Sequence, residues 1–304
     1  MSRIVVLGDL NLDVLATLPE SFFQASEVRT SIRTVPGGSA GRFARIAARE
    51  GAEVTFIGCV GDDLVGELLI RSLKDANVQS YVKRVDSPTG TIVALEQDGK
   101  RTMLCSRGAN DGIDAAWLNK ALFRGAQHLH LSGYAFLSPA QQETARRAID
   151  IGRSLDVTIS VDPPPANLIH NVGVDRFLDE LAPVDWLFPN LEEGQTLSGE
   201  KTPQRIVAAL ASAFSAGALT LGKDGSLAWQ GAKRDRCRVE RIDCPSPIGA
   251  GDAFAAGFAV SLLEHATLHE ANLNGNRAAS RLLRDRAEHG EGSTGPIDLS
   301  RQTP

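Results

Sequence analysis

Strand-like and helix-like segments alternate along most of this 304-residue chain, and that alternation constrains the fold more than any figure of composition. Arg3–Gly8 (RIVVLG) reads as a buried strand, Ser39–Glu50 as a helix and Glu53–Val60 as the next strand. Asp62–Ala76 reads as an amphipathic helix, with Leu64, Val65, Leu68, Leu69 and Leu73 on one face. The pattern continues through a strand at Gln127–Ser132, a helix at Pro139–Leu155, a strand at Val157–Asp162 and a short strand at Asp185–Phe188. It ends with a helix at Thr202–Ser215, a strand at Ala218–Leu221 and a helix at Gly249–Glu264. Strands separated by helices predict an α/β fold, a mainly parallel sheet covered by helices on both faces. Ligands of such sheets bind at the carboxyl ends of the strands. Asp9 to Asp13, Asn190, Gly222 and Gly249 to Asp252 all fall at such ends.

Two stretches, 14–36 and 80–107, break the rhythm because they carry few helix signals. In the second, Thr91–Glu96 and Arg101–Cys105 are β-prone runs joined by Gln97-Asp98-Gly99-Lys100, a turn with Asp-Gly at its centre. They are expected to form a small β-layer over the cleft, within a single domain spanning 1–304. The alternative is a surface hairpin without a role. Glu288–Pro304 is a polar, Gly-rich tail. A net charge of −5 argues against a general nucleic-acid binder. Four scattered cysteines without a CxxC pair suggest reduced thiols. The first apolar run is short and interrupted by Asp9 and Asp13, and no stretch approaches a membrane span, so a cytoplasmic protein is expected.

Chemistry concentrates in Ser246–Phe258, SPIGAGDAFAAGF. Gly249, Ala250 and Gly251 are small residues where a helix should begin, and helix N-termini attract anions. Asp252, in the first turn, would repel an anion as a mere neighbour. It makes sense as a base that takes a proton from a hydroxyl attacking a phosphate. A plain loop-to-helix entry with glycine caps explains the same residues without chemistry.

The chain resembles the pfkB-type carbohydrate kinases, the ribokinase-like kinases of sugars and nucleosides. The resemblance runs in order through Gly8-Asp9-Leu10-Asn11-Leu12-Asp13, Pro36-Gly37-Gly38-Ser39-Ala40, Gly58-Cys59-Val60-Gly61-Asp62-Asp63 with Gly66, and Thr89-Gly90-Thr91 with Asp98-Gly99-Lys100-Arg101. It continues through Asn190-Leu191-Glu192-Glu193, Thr220-Leu221-Gly222 with Gly225, and Gly249-Ala250-Gly251-Asp252. It implies a ribokinase-like sheet with a β-lid formed by about 14–36 and 80–107, ATP and magnesium as cofactors, and pairing of two copies through the lid. Asp252 would be the catalytic base, and the Gly249, Ala250 and Gly251 amides an anion hole. Asn11 and Asp13 would grip sugar hydroxyls, with Gly37 and Gly38 allowing close backbone approach and acting as the lid hinge. Asn190 and Glu193 would organise magnesium indirectly, though Asn with Glu three residues on also reads as a capping box. Thr220, Gly222, Gly225 and, on the last helix, Asn276 would line the ATP site.

The departures bear on the substrate. Arg42 stands where the first family motif has an Asn that touches substrate. An Arg is always charged and accepts no hydrogen bond. Either Arg42 turns outward and the sugar loses a contact, which is the favoured expectation, or it faces the pocket and selects an anionic substrate. Ser246-Pro247-Ile248 replaces Asp-Thr-Thr, so the Asp that helps bind an activating potassium ion is missing. Asp162-Pro163-Pro164-Pro165 replaces Asp-Pro-Asn-x-Arg. Gly217–Lys223 fits GxxxxGK, but Asp224 stands where magnesium needs a Ser or Thr, and a P-loop is rejected. His128 with His130, and His265 with His269, have spacings that could hold zinc but no third ligand nearby. The expected function is ATP-dependent phosphorylation of a small sugar or polyol hydroxyl. A nucleoside kinase of the same family and a sensor without catalysis are the alternatives.

Overall fold

The computed structural model describes residues 1–18, 27–97, 100–242, 244 and 247–289. Residues 19–26, the Asp98-Gly99 turn, Ser246 and the tail from 290 lie outside the described residues. The strands are β1 (Arg3–Leu7), β2 (Leu12–Thr17), β3 (Ile32–Pro36), β4 (Glu53–Gly61), β5 (Gln79–Val85), β6 (Thr91–Gln97) and β7 (Lys100–Ser106). They continue as β8 (His128–Ser132), β9 (Thr158–Asp162), β10 (Trp186–Leu187), β11 (Ala216–Thr220), β12 (Ser226–Gln230) and β13 (Lys233–Cys237). The helices are α1 (Ser39–Arg49), α2 (Leu64–Asp75), α3 (Pro139–Arg153), α4 (Ala166–Val172), α5 (Val174–Leu181), α6 (Leu191–Ser198), α7 (Pro203–Ala213), α8 (Ala250–Leu263) and α9 (Leu268–His289).

A nine-stranded sheet runs in the order β13-β12-β11-β10-β9-β8-β1-β4-β5. Every neighbour pair from β11 to β5 is parallel, and β12 and β13 add an antiparallel hairpin at one edge. Strand β1 shows why both faces must be covered. Val5 and Leu7 enter one core with α3 and α7, while Ile4 and Val6 enter the other with α1, α2 and α8. Helix α8 is apolar all round and almost wholly buried, as expected for a helix enclosed by protein. Its neighbour α9 approaches closely, since a Cβ at Gly257 would come within 2.8 Å of Ala278 Cβ. Leu64 does not join the buried face of α2. It is 80% exposed, because it is the first helical residue after the Asp63 cap and precedes the turns that reach the sheet.

The second sheet has four strands, β3-β2-β6-β7. Its middle pair β2–β6 is parallel, and the outer pairs are antiparallel. The expected boundary needs one revision. Ser80–Val85 belongs to β5 of the large sheet, because α2 crosses over and returns β5 parallel to β4. The small sheet has its own core of Leu15, Val35 and Ala94, completed by Ile248, the residue just before Gly249. Asp63 ties the sheets together, since its carboxylate accepts from Gly66 N–H in α2 and from both the N–H and the hydroxyl of Thr89 before β6.

Candidate active site

The parallel strands point their carboxyl ends at one cleft, and the loops there are built by close approach of backbone. Gly38 sits at φ +83°, with space for a Cβ blocked 2.4 Å away by the carbonyl oxygen of Asp9. Only glycine fits that turn into α1. Gly38 offers no cap, so Asp9, 4% exposed, caps α1 from the end of β1 by accepting from Ser39 N–H at 2.9 Å.

Between β1 and β2, Asn11 does not stand free. Its carbonyl accepts from Asn110 at 2.7 Å and its amide donates to Asp9 at 3.2 Å, so it frames the floor of the site. Asn110 also accepts from Leu10 N–H at 2.9 Å. Asp13 is buried against Gly37, where any Cβ would collide with its carboxylate. The expectation that Arg42 turns outward is corrected. Its guanidinium spans the site, donating from Nη2 to Asp13 Oδ2 and from Nη1 to Asp252 Oδ2 at 3.2 Å. Two carboxylates draw the charged group inward. Burial alone would pull the Arg42 pKa down, but Asp13 and Asp252 outweigh it and hold the guanidinium above its ordinary value. Burial raises the Asp13 carboxyl, and Arg42 opposes that rise without cancelling it.

Asp252 lies in the first turn of α8. Gly249, left-handed at φ +78°, turns the chain into that helix without a side-chain cap. First-turn N–H groups have no acceptor within their own helix. Ala250 donates its N–H to Pro247 at 3.1 Å, which leaves Gly251 and Asp252 as the better-placed amides of the turn. A Cβ at Gly251 would meet nothing within 4 Å, so that turn faces open space. Asp162, closing β9, is held well above the usual carboxylate range by burial and by the charges of Asp252 and Glu193. Sequence reading noted Asp162 only as a motif departure, although its place at a strand end was the signal.

Beyond β10 and beside the end of β11, Asn190 and Glu193 form a full capping box on α6. The Asn190 side chain accepts from Glu193 N–H at 3.0 Å, and Glu193 Oε2 accepts from Asn190 N–H at 2.9 Å. Burial pushes the Glu193 carboxyl up to about 8 against those hydrogen bonds. Thr220 closes β11 beside Asn190, and Gly222 faces open space. Gly225 serves the chain crossing instead, since a Cβ there would lie 2.0 Å from the carbonyl oxygen of Cys237. Asn276 is 6% exposed and donates to the Ser226 hydroxyl at 2.6 Å, part of a network with Asn272. Among the described residues no three acidic, His or Cys groups converge to ligate a metal directly. Magnesium keeps waters and phosphate ligands, so it needs no protein cage, and the carboxyls of Asp162 and Glu193, both raised mainly by burial, are acids whose charged forms a cation would favour.

His128 and His130 lie in the core, sharing the Ser160 hydroxyl at 2.7 and 2.8 Å, and burial lowers both, His128 to about 3. The GxxxxGK match is the buried strand β11 with its following turn.

Residues 1–287 match the model of the pfkB family carbohydrate kinases. The chain is 31% identical to Bacillus subtilis ribokinase over 283 residues, covering 92% of each chain. It is 29% identical to the 2-dehydro-3-deoxygluconokinase of the same organism over 81% of this chain and 80% of that one. The fold matches a protein provisionally titled ribokinase II from Escherichia coli, solved with ATP and Mg2+, at a TM-score of 0.82 and 19% identity over 93% of both chains.

Proposed function

The chain belongs to the pfkB family of carbohydrate kinases, and from that premise we propose that it transfers the γ-phosphoryl group of ATP to a hydroxyl of a small sugar or related polyol. The observation that carries this reading is Asp252, fixed in the first turn of α8 beside the left-handed Gly249 and facing the same cleft as Asp13. Magnesium, when bound, would neutralise charge on the phosphate oxygens.

Asp252 takes the proton of the acceptor hydroxyl as that oxygen bonds to the γ-phosphorus. The bond between the γ-phosphorus and its bridging oxygen breaks, and ADP leaves. The N–H groups at the start of α8, with Gly249 turning them toward the site, stabilise charge on the group in transfer. Asp13 accepts from acceptor hydroxyls, and Gly37 and Gly38 let backbone approach the sugar while hinging the small sheet as a lid. Asn190 and Glu193 would hold magnesium through water, Thr220 and Gly222 would border the nucleotide, and Asp162 would steady the Asp252 carboxyl. Two copies would pair through the lid.

A panel of sugars, sugar acids, phosphosugars and nucleosides, read by ADP release, tests this. Asp252→Asn should lower turnover by about 10²–10⁴-fold with ATP binding intact, and near-normal turnover would overturn the base assignment. A sensor without turnover is the second reading, favoured only by the bond that ties Arg42 to Asp252. ATP binding with silence across the panel would support it.

A further inference from the structure

Arg42 occupies the place where an acceptor has to sit. Its guanidinium joins Asp13, which enters from β2, to Asp252, which enters from α8, and its side chain is only 11% exposed. The stem reaches that point by crossing Gly249, where a Cβ would lie 2.6 Å from Arg42 Cδ. The residue is therefore built into the site from both sides.

The hydrogen bonds left unmade describe what the site lacks. Asp9 Oδ1 and Asp13 Oδ1 are buried without a donor, and Arg45 Nη1, on the same helix as Arg42, is buried without an acceptor. Hydroxyls satisfy the first two, as on any polyol. They do not solve the problem of Arg42. The two carboxylates that hold its charge are those an acceptor needs, one for its hydroxyls and one for its proton. A neutral sugar can use the free Oδ1 of Asp13, but once Asp252 takes its proton the buried guanidinium keeps only one of its two counter-charges, which is unfavourable. A carboxylate or phosphate on the acceptor supplies a replacement, and either matches the planar fork of Arg.

We propose that the acceptor is an anionic polyol, a sugar acid or a sugar phosphate, whose charged group takes over the Arg42 guanidinium while its hydroxyls engage Asp13 and Asp252. This rests on the kinase reading above and makes Arg42 the residue that sets substrate class.

The test is ADP release with ATP and magnesium on matched sets: a neutral sugar, the corresponding sugar acid and the corresponding sugar phosphate. In the unaltered protein, at least one anionic member should exceed its neutral partner by about 100-fold or more in kcat/KM, and the two anionic arms identify which group is used. Arg42→Gln should reduce that ratio to below about 10, mainly through KM, and Arg42→Lys should fall between. Thermal melting checks that each variant is folded, and the ratio in the unaltered protein decides the matter even if neither variant folds. Preference for the neutral member over both anionic partners would overturn this inference alone. So would a folded Arg42→Gln protein that loses activity on all members in equal proportion. ATP binding without ADP release on any member would overturn the kinase reading, and this inference with it.

Discussion

The two ends of the cleft hold their acids in different ways. Where β2, α1 and α8 meet, Asp13 and Asp252 share a cation, and Arg42 bridges them. At the start of α6, Glu193 is buried with its carboxylate turned onto the backbone and side chain of Asn190, inside one helical turn. One arrangement is long-range, linking residues 29 and 210 positions apart. The other spans three residues. Capping boxes are generic and survive changes of substrate, whereas a bridging arginine binds the identity of three elements to one charge pattern. On the proposed kinase reading, specificity is expected to reside in the Arg42 bridge, and mere assembly in the capping box.

Four substitutions break or sharpen that contrast. Asp252→Asn has the largest expected effect, about 10²–10⁴-fold on turnover, and steady-state kinetics beside ATP titration should show catalysis lost and nucleotide binding kept. Gly225→Ala strikes the turn after β11 through structure alone. The backbone is at φ +85° and the new Cβ would press on the Cys237 carbonyl, so stability should fall by about 3 kcal/mol or more, read by urea unfolding. An unchanged midpoint would mean that the crossing can relax. Ile248→Ala removes the plug shared by the small sheet and the α8 entry. A loss of about 2 kcal/mol, the low end for a buried Ile, is expected because the cluster is small, together with a weaker apparent affinity for both substrates.

The smallest effect concerns Glu193. Its folded pKa is pushed up to about 8, against an ordinary value of 4.5. The folded protein then binds more protons than the unfolded chain between those values. Its contribution to stability is full below about 4.5 and declines as pH rises through about 8. Melting curves across that range should flatten in Glu193→Gln, which keeps the capping geometry. An identical slope in both proteins would place the titration elsewhere.

Much of this was legible in the chain. Apolar runs alternating with amphipathic helices led to the parallel sheet, and the Asp-Gly turn led to the β6–β7 hairpin. The strand ends marked Asp9 and Asn190, whereas Gly249–Asp252 opens α8 from a loop well beyond the end of β13 at Cys237. Three things were not legible, each for a physical reason. The parallel pairing of β2 with β6 joins residues nearly eighty positions apart, with register Leu12 to Thr91, and nothing local specifies such a partner. The inward turn of Arg42 depends on two carboxylates brought from distant elements, and its own neighbours in sequence carry no sign of them. The buried networks that hold the amides of Asn11 and Asn276, through Asn110 and Ser226, join residues far apart in sequence. A polar residue type alone does not say whether its partner is substrate or protein.

Ile248 has a consequence for the order of events. It belongs at once to the core of the small sheet and to the residue preceding the α8 entry. On the kinase reading proposed above, a movement of that sheet on acceptor binding would reach the loop that opens α8, and linkage would require each substrate to tighten the other by the same factor. A protein joined in this way would work as a coincidence detector, assembling its transfer geometry only when both substrates are present.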